Sequence, residues 1–171
     1  MTLNRFVEIM AIDKTLAAGE IISDQKEKFS VPTTTRSFDE VGAAVARALA
    51  RLSISDLGEL YDEEIAIWHN HDRMTQSRAE NLKFLGELFK LFKHLKYSEI
   101  ERQITPTGYV QQHVLLGELN DGRVFALPCC HVVRIRNGKI TRFDEYFDPA
   151  PLYAALGNAP EIPFQAAMTN P

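Results

Sequence analysis

Cysteine is scarce in this chain: among 171 residues there are two, Cys129 and Cys130, side by side. Adjacent residues on a strand point to opposite faces, where a disulfide between them would be strained, so both are read as reduced thiols. An excess of one charge is also missing. Nineteen basic against 23 acidic residues give a net charge of -4, which leaves no electrostatic footprint for nucleic acid or an anionic membrane. No apolar run approaches the roughly 20 residues that span a bilayer, and the start MTLNRFVEIM lacks a basic stretch followed by an apolar one. The protein is therefore expected in the cytoplasm. There is no G-x-S-x-G, no P-loop and no G-x-G-x-x-G, which disfavours hydride and phosphoryl transfer, and no cofactor is expected. His69, His71 and Asp72 stand together in WHNHD, but no third His or Cys follows at ligand spacing, so no metal is assigned.

What remains is an ordinary core-forming composition, 45% hydrophobic and 25% charged over 171 residues, enough for one domain and too little for two. Residues 1–36 read as a short helix over 5–18 followed by an extended, Pro-interrupted arm, and 157–171 as a flexible tail. Between them, Ser37-Phe38-Asp39-Glu40 has the form of a capping box, and Val41, Val45, Ala48, Leu49 and Leu52 give the helix it opens one apolar stripe. Ser53 to Leu60 predicts a further short turn or helix. YDEEIAIWHN predicts a strand in its second half, with Ala66, Trp68 and Asn70 on one side and Ile65, Ile67 and His69 on the other. Thr75 can cap a helix over about 76–93 that is apolar around so much of its circumference that it is expected to be buried on more than one side. Strands over about 95–105 and 108–119 follow, then a hairpin, then a short helix over 149–156. The order predicts an α+β fold: a curved, cone-shaped antiparallel sheet with helices packed on its concave face.

The hairpin carries the chemistry. Residues 123–135 and 139–147 flank Asn137-Gly138, a strong turn signal. A type I turn with a G1 bulge at Gly138 would pair Ile135 with Lys139, His131 with Phe143 and Cys129 with Glu145. Leu127, Cys129, His131, Val133, Phe143, Glu145 and Phe147 then share one face. A two-residue turn would instead pair Arg136 with Lys139 and separate His131 from Glu145. On the first register, a carboxylate and an imidazole stand in an apolar face, as proton-transfer groups often do, and desolvation is expected to raise the Glu145 pKa toward neutrality.

The element order, the segment YDEEIAIWHN and above all the ending NGKITRFDEYFD resemble the nuclear transport factor two-like superfamily, in its SnoaL-like and limonene epoxide hydrolase-like branches, over about residues 38–156. The resemblance implies the cystatin-like cone and a hydrophobic pocket, and it implies a homodimer through the outer sheet face, where Val132, Ile140 and Tyr146 stand among charges. Against the epoxide hydrolase set, Glu145 matches the last Asp and Asn70 the Asn. Trp68 falls near the Tyr, while Gln112 and Val114 replace the Arg and the first Asp, which disfavours epoxide opening by that route. Against ketosteroid isomerase, which this chain is also similar to, His131 falls on the oxyanion-stabilising Asp, and no carboxylate falls on the base position near His69 and Asn70.

The reading that follows is a cofactor-independent enzyme of the SnoaL-like type. It would act as a lyase, isomerase or cyclase on a small hydrophobic, aromatic or polycyclic substrate. Glu145, His131 and Asn70 are the catalytic candidates. Trp68, His69, Gln112, Val114, Leu116, Leu127, Cys129, Phe143 and Phe147 are the substrate-binding candidates. A hydrolase, with water activated by Glu145 and oriented by Asn70, and a non-catalytic small-molecule-binding module are the alternatives.

Overall fold

A computed structural model describes residues 36–157. The helix and arm expected before residue 36 and the tail expected after residue 157 lie outside the described residues. The first helix, α1 (Phe38–Ala50), begins where the capping box places it. The Ser37 hydroxyl accepts from the Glu40 amide at 3.2 Å, and Glu40 accepts from the Ser37 amide at 2.7 Å. Its apolar stripe, Val41, Val45, Ala48 and Leu49, is buried. α2 (Ile54–Leu60) is capped by Ser53 and leads straight into β1 (Tyr61–His69).

The next helix starts later and ends earlier than the sequence suggests. Thr75 belongs to a two-residue strand, β2 (Thr75–Gln76), and α3 (Arg78–Phe89) is capped by Ser77, because Ser77 and Glu80 form a complete capping box. The helix stops at Phe89 because Phe92 already pairs within the sheet. Leu82, Leu85, Leu88 and Phe89 pack inward, whereas Phe84 is 50% exposed, so α3 is covered on one side and not on several.

Four long strands complete the sheet: β3 (Phe92–Thr105), β4 (Gly108–Leu119), β5 (Val124–Arg136) and β6 (Lys139–Phe147), followed by α4 (Ala150–Leu156). The spatial order is β2-β1-β6-β5-β4-β3, antiparallel at every pairing except β1 with β6, which is parallel. Bulges bend these strands. The one between Ser98 and Glu101 places Glu99 at φ 54. The curled sheet presents Ile67, Leu95, Leu127, Val133 and Phe143 to the helices as one buried surface.

Two turns set which side chains reach that surface. Asn137 (φ 53) and Gly138 (φ 74) are both left-handed, the signature of a two-residue type I′ turn, so Arg136 pairs with Lys139. The G1-bulge register at Gly138, with His131 opposite Phe143, is therefore corrected. Taken alone, this turn would send Glu145 to the outer face. A bulge one step further on, between Ile135↔Ile140 and Arg134↔Arg142, inserts Thr141 as an extra residue and restores the parity. His131 then pairs directly with Glu145, Val133 with Phe143 and Cys129 with Phe147. The type I′ turn itself sets Ile140 opposite inward-facing Ile135, so Ile140 is fully buried and not part of the outer face. A three-residue loop with Gly122 at φ 88 joins β4 to β5: the Leu119 amide donates to the Arg123 carbonyl, and the Gly122 amide to that of Leu119. It sets Leu115, not Leu116, opposite Leu127.

Candidate active site

One row of polar residues crosses the concave face through five neighbouring strands. His69 (β1) pairs with Glu145 (β6), Glu145 with His131 (β5), His131 with Gln111 (β4) and Gln111 with Arg102 (β3). Beside the row the face is mainly apolar, with Ile67, Leu127, Val133 and Phe143 buried there and His113 next to Gln111. Glu145 sits between two imidazoles: its Oε1 is 2.8 Å from His131 Nε2 and its Oε2 3.3 Å from His69 Nε2. Neutral or charged, each ring can donate from that nitrogen.

Burial pushes the Glu145 carboxyl up, but the hydrogen bonds and charges of His131 and His69 outweigh it and hold the group well below the usual carboxylate range. This corrects the expected rise: flanked by two imidazoles, the site stabilises the anion. For His69, burial pulls the imidazole down, while the hydrogen bond and charge of Glu145 and the charge of Asp72 raise it above its ordinary value on balance. Burial pushes the Cys129 thiol up to about 12, with Glu145 adding to the effect, so it is a poor nucleophile. Its Sγ donates to the Leu127 carbonyl at 3.3 Å.

Glu145 opens into a cavity of about 370 Å³ between the sheet and the helices, lined by residues of all four. The walls are mainly aliphatic and aromatic, as a small apolar ligand requires. Glu145, His69, Leu127, Cys129, Phe143 and Phe147 line it, as the sequence suggests. The other candidates are elsewhere. His131 is completely buried behind Glu145 and does not line the cavity, so it positions the carboxylate and cannot touch a ligand. Asn70 spends its amide on the backbone of Phe147, donating to the carbonyl at 3.1 Å and accepting from the amide at 2.9 Å, so it ties β1 to β6 and is not free to orient water. Trp68 lies on the other side of β1 from His69 and packs edge-on against half-exposed Tyr146, with ring centroids 5.3 Å apart. Gln112, Val114 and Leu116 alternate with the inward-facing Gln111, His113 and Leu115 of β4 and face away from the cavity.

Residues the sequence reading passed over take their places. Tyr97 lines the cavity, and its hydroxyl makes no hydrogen bond to a described residue. Burial and the nearby Glu145 hold its pKa well above the ordinary value, so it stays a neutral donor. Tyr61 donates to Asn81 at 3.3 Å and Asn81 to Gln76 at 2.8 Å, forming a second polar station in the same wall. A buried Asn81 in the Leu-rich face of α3 was the readable signal for it. His71 also reaches the cavity, 3.8 Å from Asp72. Among the described residues, no three His, Cys, Asp or Glu side chains converge as a metal site.

The SnoaL-like domain family matches residues 41–143, and the chain belongs to that family. Solved structures agree on the fold. An isomerase candidate from Bacillus subtilis is 16% identical with a TM-score of 0.63, covering 71% of this chain and 93% of its own. A polyketide cyclase candidate from Xanthomonas campestris is 18% identical with a TM-score of 0.61, covering 70% and 96%. A protein of ketosteroid isomerase-like fold from Catenulispora acidiphila, in complex with trimethylamine, is 17% identical with a TM-score of 0.62, covering 70% and 94%. Among curated proteins, none matches this chain significantly.

Proposed function

We propose that this protein is a cofactor-independent acid–base enzyme of the lyase, isomerase or cyclase type, acting on a small apolar ring compound that bears a carbonyl group. The observation that carries this reading is the Glu145 carboxylate, held ionised by His131 and His69 and opening into an apolar cavity. In the step we infer, Glu145 takes a proton from the carbon beside the substrate carbonyl. The C–H electron pair becomes a C=C bond, and the carbonyl electrons move onto oxygen, where the Tyr97 hydroxyl donates to the enolate. Return of the proton at another carbon is isomerisation, expulsion of a neighbouring leaving group is elimination, and attack on a second carbonyl is cyclisation. His131 and His69 keep the carboxylate anionic and aimed. The apolar walls lower the local dielectric and so strengthen each of these contacts.

Exchange of α-protons for solvent deuterium in 2-tetralone, a bicyclic ketone of suitable size, tests the reading. The wild-type protein is expected to accelerate exchange, and Glu145→Gln, nearly isosteric and unable to accept the proton, to lose at least about 100-fold of it. A folded Glu145→Gln variant that exchanges as fast as wild type contradicts the proposal; one that binds the ketone equally well while neither protein exchanges it favours a passive binding module.

The setting we propose is the cytoplasm, where Cys129 and Cys130 remain thiols. No helix of the described residues is long and apolar enough to cross a membrane. We also propose a homodimer through the outer sheet face, where Leu116, Val124 and Tyr146 are exposed alongside Trp68 and Val132.

A further inference from the structure

Away from the cavity, the polar row runs on from Glu145 into the core. Gln111 is 1% exposed and His113, two residues along the same face of β4, is 4% exposed. Polar groups this deep are costly unless paired, so their wiring decides where protons sit. Arg102 has donors and no acceptor. Its Nη1 donates to Asp39 Oδ1 at 2.6 Å and to the Asp39 carbonyl at 2.9 Å, and its Nε donates to Gln111 Oε1 at 2.9 Å. The guanidinium lies 5.2 Å from the Tyr109 ring centroid. It fits beneath α1 because residue 42 is glycine: a Cβ there would stand 2.5 Å from the guanidinium carbon.

With Oε1 of Gln111 taken by a group that can only donate, the amide Nε2 is the atom that faces His113 Nδ1, 3.2 Å away. That Nδ1 must accept, so it bears no proton, and the single proton of His113 is on Nε2, which meets no partner among the described residues. A doubly protonated ring would set N–H against N–H. The His113 ring packs edge-on against His131, with centroids 4.4 Å apart, and at a tilt against Tyr97 at 4.0 Å. His131, Arg102 and, beyond His131, Glu145 are the charged or titratable neighbours that bear on it, together with the neutral Tyr97 phenol.

We propose that Gln111 is a positioning residue for Glu145: clamped by Arg102, it holds His113 as a neutral, Nε2-protonated imidazole, so that no charge stands behind His131, the ring whose Nε2 holds the carboxylate together with that of His69. Neither Gln111 nor Arg102 can take up a proton at neutral pH, so the row ends in a clamp and not a proton wire. The consequence for catalysis rests on the reading of Glu145 as the proton acceptor; the protonation state of His113 does not.

Long-range ¹H–¹⁵N spectra of the imidazoles test this on the whole protein without a substrate. Wild-type His113 is expected to show a bare Nδ1 and a protonated Nε2, unchanged from about pH 5 to 8, where a free histidine titrates. In Gln111→Glu, the carboxylate accepts from the ring and Nδ1 is expected to become protonated. Gln111→Glu is also expected to slow 2-tetralone exchange by about ten- to a hundredfold in kcat with KM unchanged, since Gln111 never meets the ketone. Wild-type His113 carrying its proton on Nδ1, or titrating within that window, overturns the proposal even if the variant fails to fold. So does a folded Gln111→Glu in which Nδ1 stays bare. Absence of exchange in the wild type counts against the Glu145 reading alone and leaves the spectrum to decide the state of His113.

Discussion

Glu145 and the histidines around it give the protein opposing responses to pH. His113 is held down to about 3 by burial and by the neighbouring His131, against an ordinary value of 6.5. Below that ordinary value an unfolded chain takes up a proton at this position that the folded one refuses, so stability falls as pH drops from about 6.5 toward 3. Glu145 acts in the same direction lower down: with its folded value below the ordinary 4.5, its contribution is present above that value and is lost as pH falls further. His69, raised by Glu145, acts the other way, since its contribution is full below about 6.5 and is lost as pH climbs through its folded value. Denaturant midpoints measured from about pH 7 to 4.5 should decline in the wild type and decline less in His113→Phe; equal slopes would show that His113 does not carry this cost. The sequence made Glu145 visible as a carboxylate in an apolar strand face, but not its charge state. That state depends on His69, which reaches Glu145 only through the parallel pairing of β1 with β6, a contact between segments far apart in the chain.

Capping boxes and turns were the most readable elements, because their signals are local. Ser37 and Glu40 open α1 where the sequence places it, whereas the Thr75 cap was misplaced with an equally complete box two residues on at Ser77 and Glu80. Parity was harder. Val110, Val114 and Leu116 point outward from β4 while Tyr109 and Leu115 point inward, so alternation of apolar residues carries no sign, and only the pairing of Gln111 with His131 decides it. In β6 the sharing of a face by His131 and Glu145 was right for the wrong reason: the register depends on a type I′ turn plus the Thr141 bulge, which no turn motif announces. Gly138→Ala probes this element. At φ 74 a Cβ is strained, so the variant should lose about 1 kcal/mol in a denaturant titration. An unchanged midpoint would mean that the turn does not need its left-handed backbone.

Across the whole molecule, the two faces of the sheet differ in character. The concave face carries the polar row and cavity, and the convex face exposed apolar side chains among charges, with Tyr146 47% and Val124 71% exposed. If two copies pair through that surface, Tyr146→Asp should convert a dimer to a monomer in sedimentation while leaving 2-tetralone exchange intact; a wild-type protein that is monomeric at micromolar concentration excludes the dimer. The fold class could be read from element order, since helices preceding a run of strands leave few packings, but the cavity could not, because its walls come from all four helices and all six strands at once. An ionised carboxylate facing that cavity underlies the whole proposed chemistry. Carboxyl ¹³C NMR of Glu145, recorded against pH with and without 2-naphthol as the stable enol counterpart of 2-tetralone, tests this most directly. The resonance should stay in the ionised range to below pH 4.5 and move when the naphthol binds. A carboxyl that titrates at or above its ordinary value, or that ignores the added naphthol, would contradict it.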